Sequence, residues 1–328
     1  MVTDNIEIDI NKIQISRETI KPFIKKTALK YSDFLSSLCQ GTVYLKLENT
    51  QLSHSFKIRG AFNKILHLTP EEKQQGIITC SSGNHGLAAA IAAKKLNLSV
   101  KIVVPETAPR KKVDKIKEYG VELILYGDYD KAEQKALELA RKEKKTFISP
   151  YNDPDIIAGQ GTIGLEILEE FPEVEKALIP VGGGGLVAGI AIAIKSKNQS
   201  VEVIGVQSEA SPVMYASLKA GKILKSEEVK IKDSIADGLS GGIEENSISF
   251  TVTQKKVDKI ILVKEKTIKE AIRLLWEKDH QVVEGAGAVG IAALIENKEQ
   301  FKNSKTIIVI SGGNIDNILF NEITRASQ

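Results

Sequence analysis

The chain has 328 residues, 42% of them hydrophobic, and 45 Lys and Arg against 42 Asp and Glu, for a formal net charge of +3. That length suits one large α/β unit or roughly two domains with a sizeable core. The near balance of charge implies no polyelectrolyte partner, and the lysine runs at 94–95, 110–117 and 141–145 lack the interleaved aromatics of a nucleic-acid stripe.

Cys39 and Cys80 match no metal-ligand spacing and no disulfide framework, which points to a reducing compartment. Residues 1–10 are acidic and polar, without the basic-then-apolar order of a secretory signal. The longest apolar runs, such as 189–194, are too short to span a bilayer. The expectation is a soluble cytoplasmic protein with no membrane partner.

In chain order, short β-branched runs predict strands at 42–47, 76–80, 100–104, 121–125, 176–181, 201–206 and 306–310. Runs that are apolar throughout suit strands covered on both faces, as in a parallel sheet. Amphipathic stretches at 85–96, 110–119, 130–144, 155–171 and 186–195 predict helices between them. Such alternation means α/β with right-handed crossovers. Three strand–helix units from 76 to 150 are enough to close a small sheet of their own.

Three polar, glycine-rich loops follow predicted strands. Gly182, Gly183, Gly184 and Gly185 lie between a strand and a helix. Four glycines in a row weaken any regular element, so the run predicts close approach of an anion to free N–H groups at a positive helix end. Gly183-x-Gly185-x-x-Ala188 with Glu209 also fits a loose dinucleotide fingerprint, which leaves a dinucleotide-binding oxidoreductase open. Ser81-Ser82-Gly83-Asn84-His85-Gly86 opens another helix with hydroxyls, an amide and an imidazole, a set suited to a carboxylate. Ser311-Gly312-Gly313-Asn314 ends the last strand. Ligands of open parallel sheets bind beyond the carboxyl ends of strands, so the three loops are expected to face one crevice. Glu284-Gly285-Ala286-Gly287 reads equally as a fourth wall or as helix packing.

Ser55-Phe56-Lys57-Ile58-Arg59-Gly60-Ala61, taken with these loops in this order and spacing, closely resembles the fold type II pyridoxal-phosphate family of threonine/serine dehydratases and serine racemases. The resemblance runs from about residue 45 to 316. It implies a tryptophan-synthase-β-like α/β fold: a large parallel-sheet domain (1–76 and 151–328) with a smaller inserted α/β domain (77–150). It implies pyridoxal 5'-phosphate as cofactor, joined to Lys57, which also serves as the base at Cα. Phe56 is expected beside the cofactor ring, Asn84 on its 3-oxygen, Ser311 at its nitrogen, and Gly182 to Gly185 around its phosphate. Ser81, with Ser82, Asn84 and His85, is expected to hold the substrate carboxylate. A serine at the ring nitrogen, which cannot keep that nitrogen protonated, favours β-elimination. The implied reaction is dehydration and deamination of L-threonine or L-serine to a 2-oxo acid and ammonia, by a homo-oligomer, a dimer by resemblance.

The chain departs from the family pattern in places. His54 stands where glycine is usual. Ser82 stands where many threonine dehydratases have alanine, and a serine there serves racemases as a second base, so serine racemase is the alternative. Pro150-Tyr151-Asn152-Asp153-Pro154 looks more like the dehydratases. The stretch 207–213 carries one carboxylate out of step with the divalent site of some relatives, so no metal is expected. The chain stops soon after Asn314, so no feedback domain is expected either.

Overall fold

The computed structural model describes residues 8–325, so most of the N-terminal stretch read above lies outside the described residues. The strands are β1 (Leu29–Tyr31), β2 (Thr42–Leu47), β3 (Ile77–Cys80), β4 (Val100–Val104), β5 (Glu122–Leu125), β6 (Thr146–Phe147), β7 (Lys176–Pro180), β8 (Glu202–Ser208), β9 (Lys259–Val263) and β10 (Lys305–Ile310). The helices are α1 (Ile10–Ile20), α2 (Asp33–Cys39), α3 (Lys57–Leu66), α4 (Pro70–Gln75), α5 (Asn84–Lys95), α6 (Arg110–Lys117), α7 (Tyr129–Glu143), α8 (Pro154–Glu170), α9 (Gly185–Lys197), α10 (Val213–Ala220), α11 (Ile248–Lys256), α12 (Glu265–Asp279), α13 (Gly285–Glu296) and α14 (Asn317–Arg325).

Two sheets result. One has the order β1-β2-β10-β7-β8-β9 and the other β5-β4-β3-β6. Every pairing is parallel except β1 with β2. Each predicted strand is present within two residues of its expected ends. The edge strands β1 and β6 are too short to show a pattern, and β9 is a β-branched run that the reading above passes over.

The larger sheet is covered on both faces, as apolar strands require. Ile308 and Ile310 of β10 join the core under α12 and α13, while Ile307 and Val309 join the core under α8 and α9. Both sheets are open, and the three glycine-rich loops leave the carboxyl ends of β3, β7 and β10.

α3 binds the two halves together. Ile58, Phe62 and Ile65, at i, i+4 and i+7, form one buried stripe and share a core with Ile77, Leu87 and Ile102 of the smaller sheet's unit. Burial of each contributes on the order of 1.5–3 kcal/mol. On its other side α3 meets α8 through glycines: a Cβ on Gly159 would lie 2.8 Å from the Gly60 Cα. Polar fixings hold the same contact. Arg59, fully buried, reaches Glu48 at 2.8 Å and Glu166 at 2.7 Å, and buried Lys46 reaches Glu166 at 2.6 Å.

Candidate active site

Helix N-termini around the site differ in their capping. α7 and α8 are closed at their N-termini by Asp128 and Asp153, whose carboxylates accept from backbone N–H groups, with Pro154 opening α8. α5 and α9 start on Gly83 and Gly184 and have no side-chain cap. Their first N–H groups and positive dipole ends are left for an anion. Gly184 has φ +90, a left-handed conformation that glycine adopts without cost. A Cβ on Gly183 or Gly185 would strike Tyr151, so the backbone here lies against that residue.

Segment 53–57 is stitched to the loop after β10. Phe56 N–H donates to Ser311 O at 3.0 Å and Gly313 N–H to His54 O at 2.9 Å, and Ser55 bridges Gly312. This places Lys57 as the first residue of α3, with its amine 2.7 Å from Pro150 O and 5.1 Å from the Phe56 ring centre. Burial pushes the amine down to about 8, against the pull of Glu284. A lysine so placed is available as a neutral nucleophile and base.

The predicted residues converge. Asn84 Oδ1 accepts from Asn314 Nδ2 at 2.7 Å, which joins the loop after β3 to the loop after β10. Ser81 Oγ accepts from Gly83 N–H at 3.2 Å, while the Ser82 hydroxyl makes no hydrogen bond among the described residues. The buried Ser311 hydroxyl has the Ala286 carbonyl at 3.4 Å. Gly182 packs on Leu239, and Gly183 O accepts from Ser249 Oγ.

His85 differs from its expected use. Its buried ring donates from Nε2 to Ile148 O at 3.2 Å, and burial together with Lys57 pushes it down to about 3. The ring is neutral, and its remaining nitrogen, Nδ1, is an acceptor without a partner among the described residues. It therefore has no donor for a carboxylate; what His85 can offer is its backbone N–H at the start of α5.

Glu284 is the group that sequence reasoning left undecided. Its carboxylate is buried and accepts from Asn84 Nδ2 at 2.6 Å, and its N–H donates to Gly312 O. Burial, with Asp237 nearby, pushes it up to about 7. The signal available in the sequence was an acidic residue just before Gly285-Ala286-Gly287, two hundred residues from Asn84.

A model of pyridoxal-phosphate dependent enzymes matches residues 20–313. The chain belongs to the pyridoxal-phosphate dependent enzyme family. It is 46% identical over 310 residues to an L-threonine ammonia-lyase of Thermotoga maritima, covering 94% of this chain and 76% of that one. To the L-threonine dehydratase catabolic TdcB of Escherichia coli K12 it is 40% identical, over 98% of each. Maize serine racemase superposes with a TM-score of 0.90 at 32% identity, covering 97% of each chain. The family membership sets the dinucleotide reading of Gly183-x-Gly185-x-x-Ala188 aside; Glu209, its acidic partner, is exposed.

The residues present fit pyridoxal phosphate. The uncapped, glycine-lined start of α9 suits its phosphate, and an amine held near neutrality suits its aldehyde. Uncharged Ser311 lies in the loop stitched to the Lys57 segment, and the Asn84 amide is joined to that loop through Asn314.

Proposed function

We propose that this enzyme is a threonine/serine ammonia-lyase, converting L-threonine to 2-oxobutyrate and ammonia or L-serine to pyruvate and ammonia. The observation that carries the reading is the buried Lys57 amine, held by the Pro150 carbonyl next to Tyr151, against which the uncapped, glycine-lined start of α9 packs. The substrate class is supported by the relatives named for L-threonine.

When bound, pyridoxal phosphate supplies an electron-withdrawing ring that stabilises negative charge at Cα. The chain does the rest. The amides of Gly182, Gly183, Gly184 and Gly185 would hold the phosphate, Phe56 would pack beside the ring, Asn84 would meet the ring oxygen and Ser311 would face the ring nitrogen. Ser81, Ser82 and the N–H groups of Asn84 and His85 fix the substrate carboxylate. Lys57 anchors the cofactor and then takes the Cα proton. Burial that pushes the amine down to about 8 makes its neutral form accessible near neutral pH, as a base requires.

The division into a large domain (1–76 and 151–328) and an inserted small one (77–150) is part of the proposal; the two separate sheets support it, with α3 as the bridge. So are a cytoplasmic location and a homodimer. The first is supported by the two buried free thiols, and among the described residues no helix is long and apolar enough to cross a membrane.

Purified protein mixed with pyridoxal phosphate is expected to gain a visible absorbance band and to release oxo acid from L-threonine and L-serine. Absence of the band, or its survival in Lys57→Ala, refutes the reading. Serine racemase is the second reading, favoured by the unbonded Ser82 hydroxyl, which is free to carry a proton. Chiral analysis decides: D-serine in excess over pyruvate, lost in Ser82→Ala, transfers the enzyme to that class.

A further inference from the structure

The Asn84 amide is engaged on both sides. Its oxygen accepts from Asn314 Nδ2 at 2.7 Å and its nitrogen donates to Glu284 Oε1 at 2.6 Å. Asn314 Oδ1 in turn accepts from Lys115 Nζ at 2.8 Å. Every donor in the series points inward, from a surface ammonium to a buried carboxylate, so each bond polarises the next. A lone amide turns end for end at little cost. Here that turn would set Asn84 Nδ2 against the Asn314 donor, whose own direction Lys115 and the Ser53 carbonyl hold, and, where Glu284 is ionised, its oxygen against that carboxylate. The neighbours therefore fix the amide's direction and leave one Nδ2 hydrogen uncommitted.

The series also crosses between the two halves. Lys115 lies on α6, beside the smaller sheet, whereas Asn314 follows β10 of the larger. α6 makes two further contacts across the same gap: Lys112 with Asp237 at 2.6 Å and Lys111 with Asp316 at 3.7 Å. Neither of these touches Asn84.

We propose that Asn314 and Lys115 are positioning residues, whose hydrogen bonds aim the Asn84 amide at the cofactor ring and tie that aim to the docking of α6. The proposal rests on the reading that Asn84 meets the ring of pyridoxal phosphate. It distinguishes Lys115 from Lys111 and Lys112, which dock the helix without contacting Asn314 or Asn84.

The test is a titration of cofactor-free protein with pyridoxal phosphate, reading the dissociation constant and the position of the visible band. Loss of one hydrogen bond to the amide makes Asn314→Ala bind about tenfold more weakly, with a displaced band. Lys115→Met, which acts one bond further out, weakens binding about threefold, and Lys115→Arg restores it. Lys111→Met binds as the parent does. Asn314 also donates to Ser53 O at 2.9 Å, so its variant is checked for folding by circular dichroism. Should it not fold, the Lys115 pair, exposed at the surface, carries the test alone. A parent-like constant and band in Asn314→Ala overturn the positioning role, and Lys115→Met indistinguishable from Lys111→Met overturns the tie to α6. A parent protein that gains no band refutes the functional reading instead.

Discussion

The amine of Lys57 donates a hydrogen bond to the carbonyl oxygen of Pro150 at 2.7 Å. Pro150 lies where the chain leaves β6 for α8, so the residue proposed to do the chemistry is steadied by the return strand of the smaller sheet. A carbonyl holds an ammonium without neutralising it, whereas a carboxylate would raise its pKa. The rate at which cofactor-free protein takes up pyridoxal phosphate should therefore rise with pH through about 8 and level off above it. Stopped-flow absorbance at several pH values checks this; a midpoint near 10.4, the ordinary value for lysine, would contradict it.

Glu284 gives a stability signature of opposite sign to a paired carboxylate. Its folded value of about 7 exceeds the unfolded value near 4.3, so between these values the folded state holds more protons and loses stability as pH rises. Glu284→Gln removes that loss. Cofactor-free Glu284→Gln should match the parent at pH 4.5 and exceed it at pH 8, by up to about 3 kcal/mol. Urea denaturation at the two pH values measures the difference.

Arg59 joins Glu48 and Glu166 with all three side chains buried. Burial alone would lower the guanidinium, yet the two carboxylates outweigh it and raise it, while Glu166 is lowered in turn. Removing the cation leaves buried carboxylates with too little positive charge. Arg59→Met should cost about 3–5 kcal/mol, read by urea denaturation. Arg59→Lys should recover only part of it, since one ammonium cannot reach both acids in the forked geometry.

His54 occupies φ +54, a conformation that glycine adopts freely. Its N–H donates to Gln51 O and its carbonyl accepts from Gly313, so the turn is fixed by backbone. His54→Gly should keep the turn and gain up to about 1 kcal/mol in thermal unfolding, with cofactor binding retained. A loss of binding would show that the imidazole serves the site.

Much of this was legible in the chain. β-branched runs located the strands because both faces of each sheet are covered, and the glycine-rich loops marked the strand ends because only uncapped backbone serves an anion. The ionic cluster was not legible. Arg59, Glu48, Glu166 and Lys46 look like solvated charges until the fold folds 48 and 166 onto the same turn of α3. Glu284 was left undecided for the same reason, since its partner Asn84 lies on the other sheet's loop. His85 was found, but its polar ring was read as a donor; the Ile148 carbonyl takes that role away.

α3 has a consequence of its own. Its first residue is Lys57, its third is locked by buried charge, and its apolar stripe belongs to the smaller sheet while its glycines touch α8. A helix so held is the seam of the molecule: the amine at its end takes its place from both sheets at once, so a change that loosens either half reaches the atom that reacts.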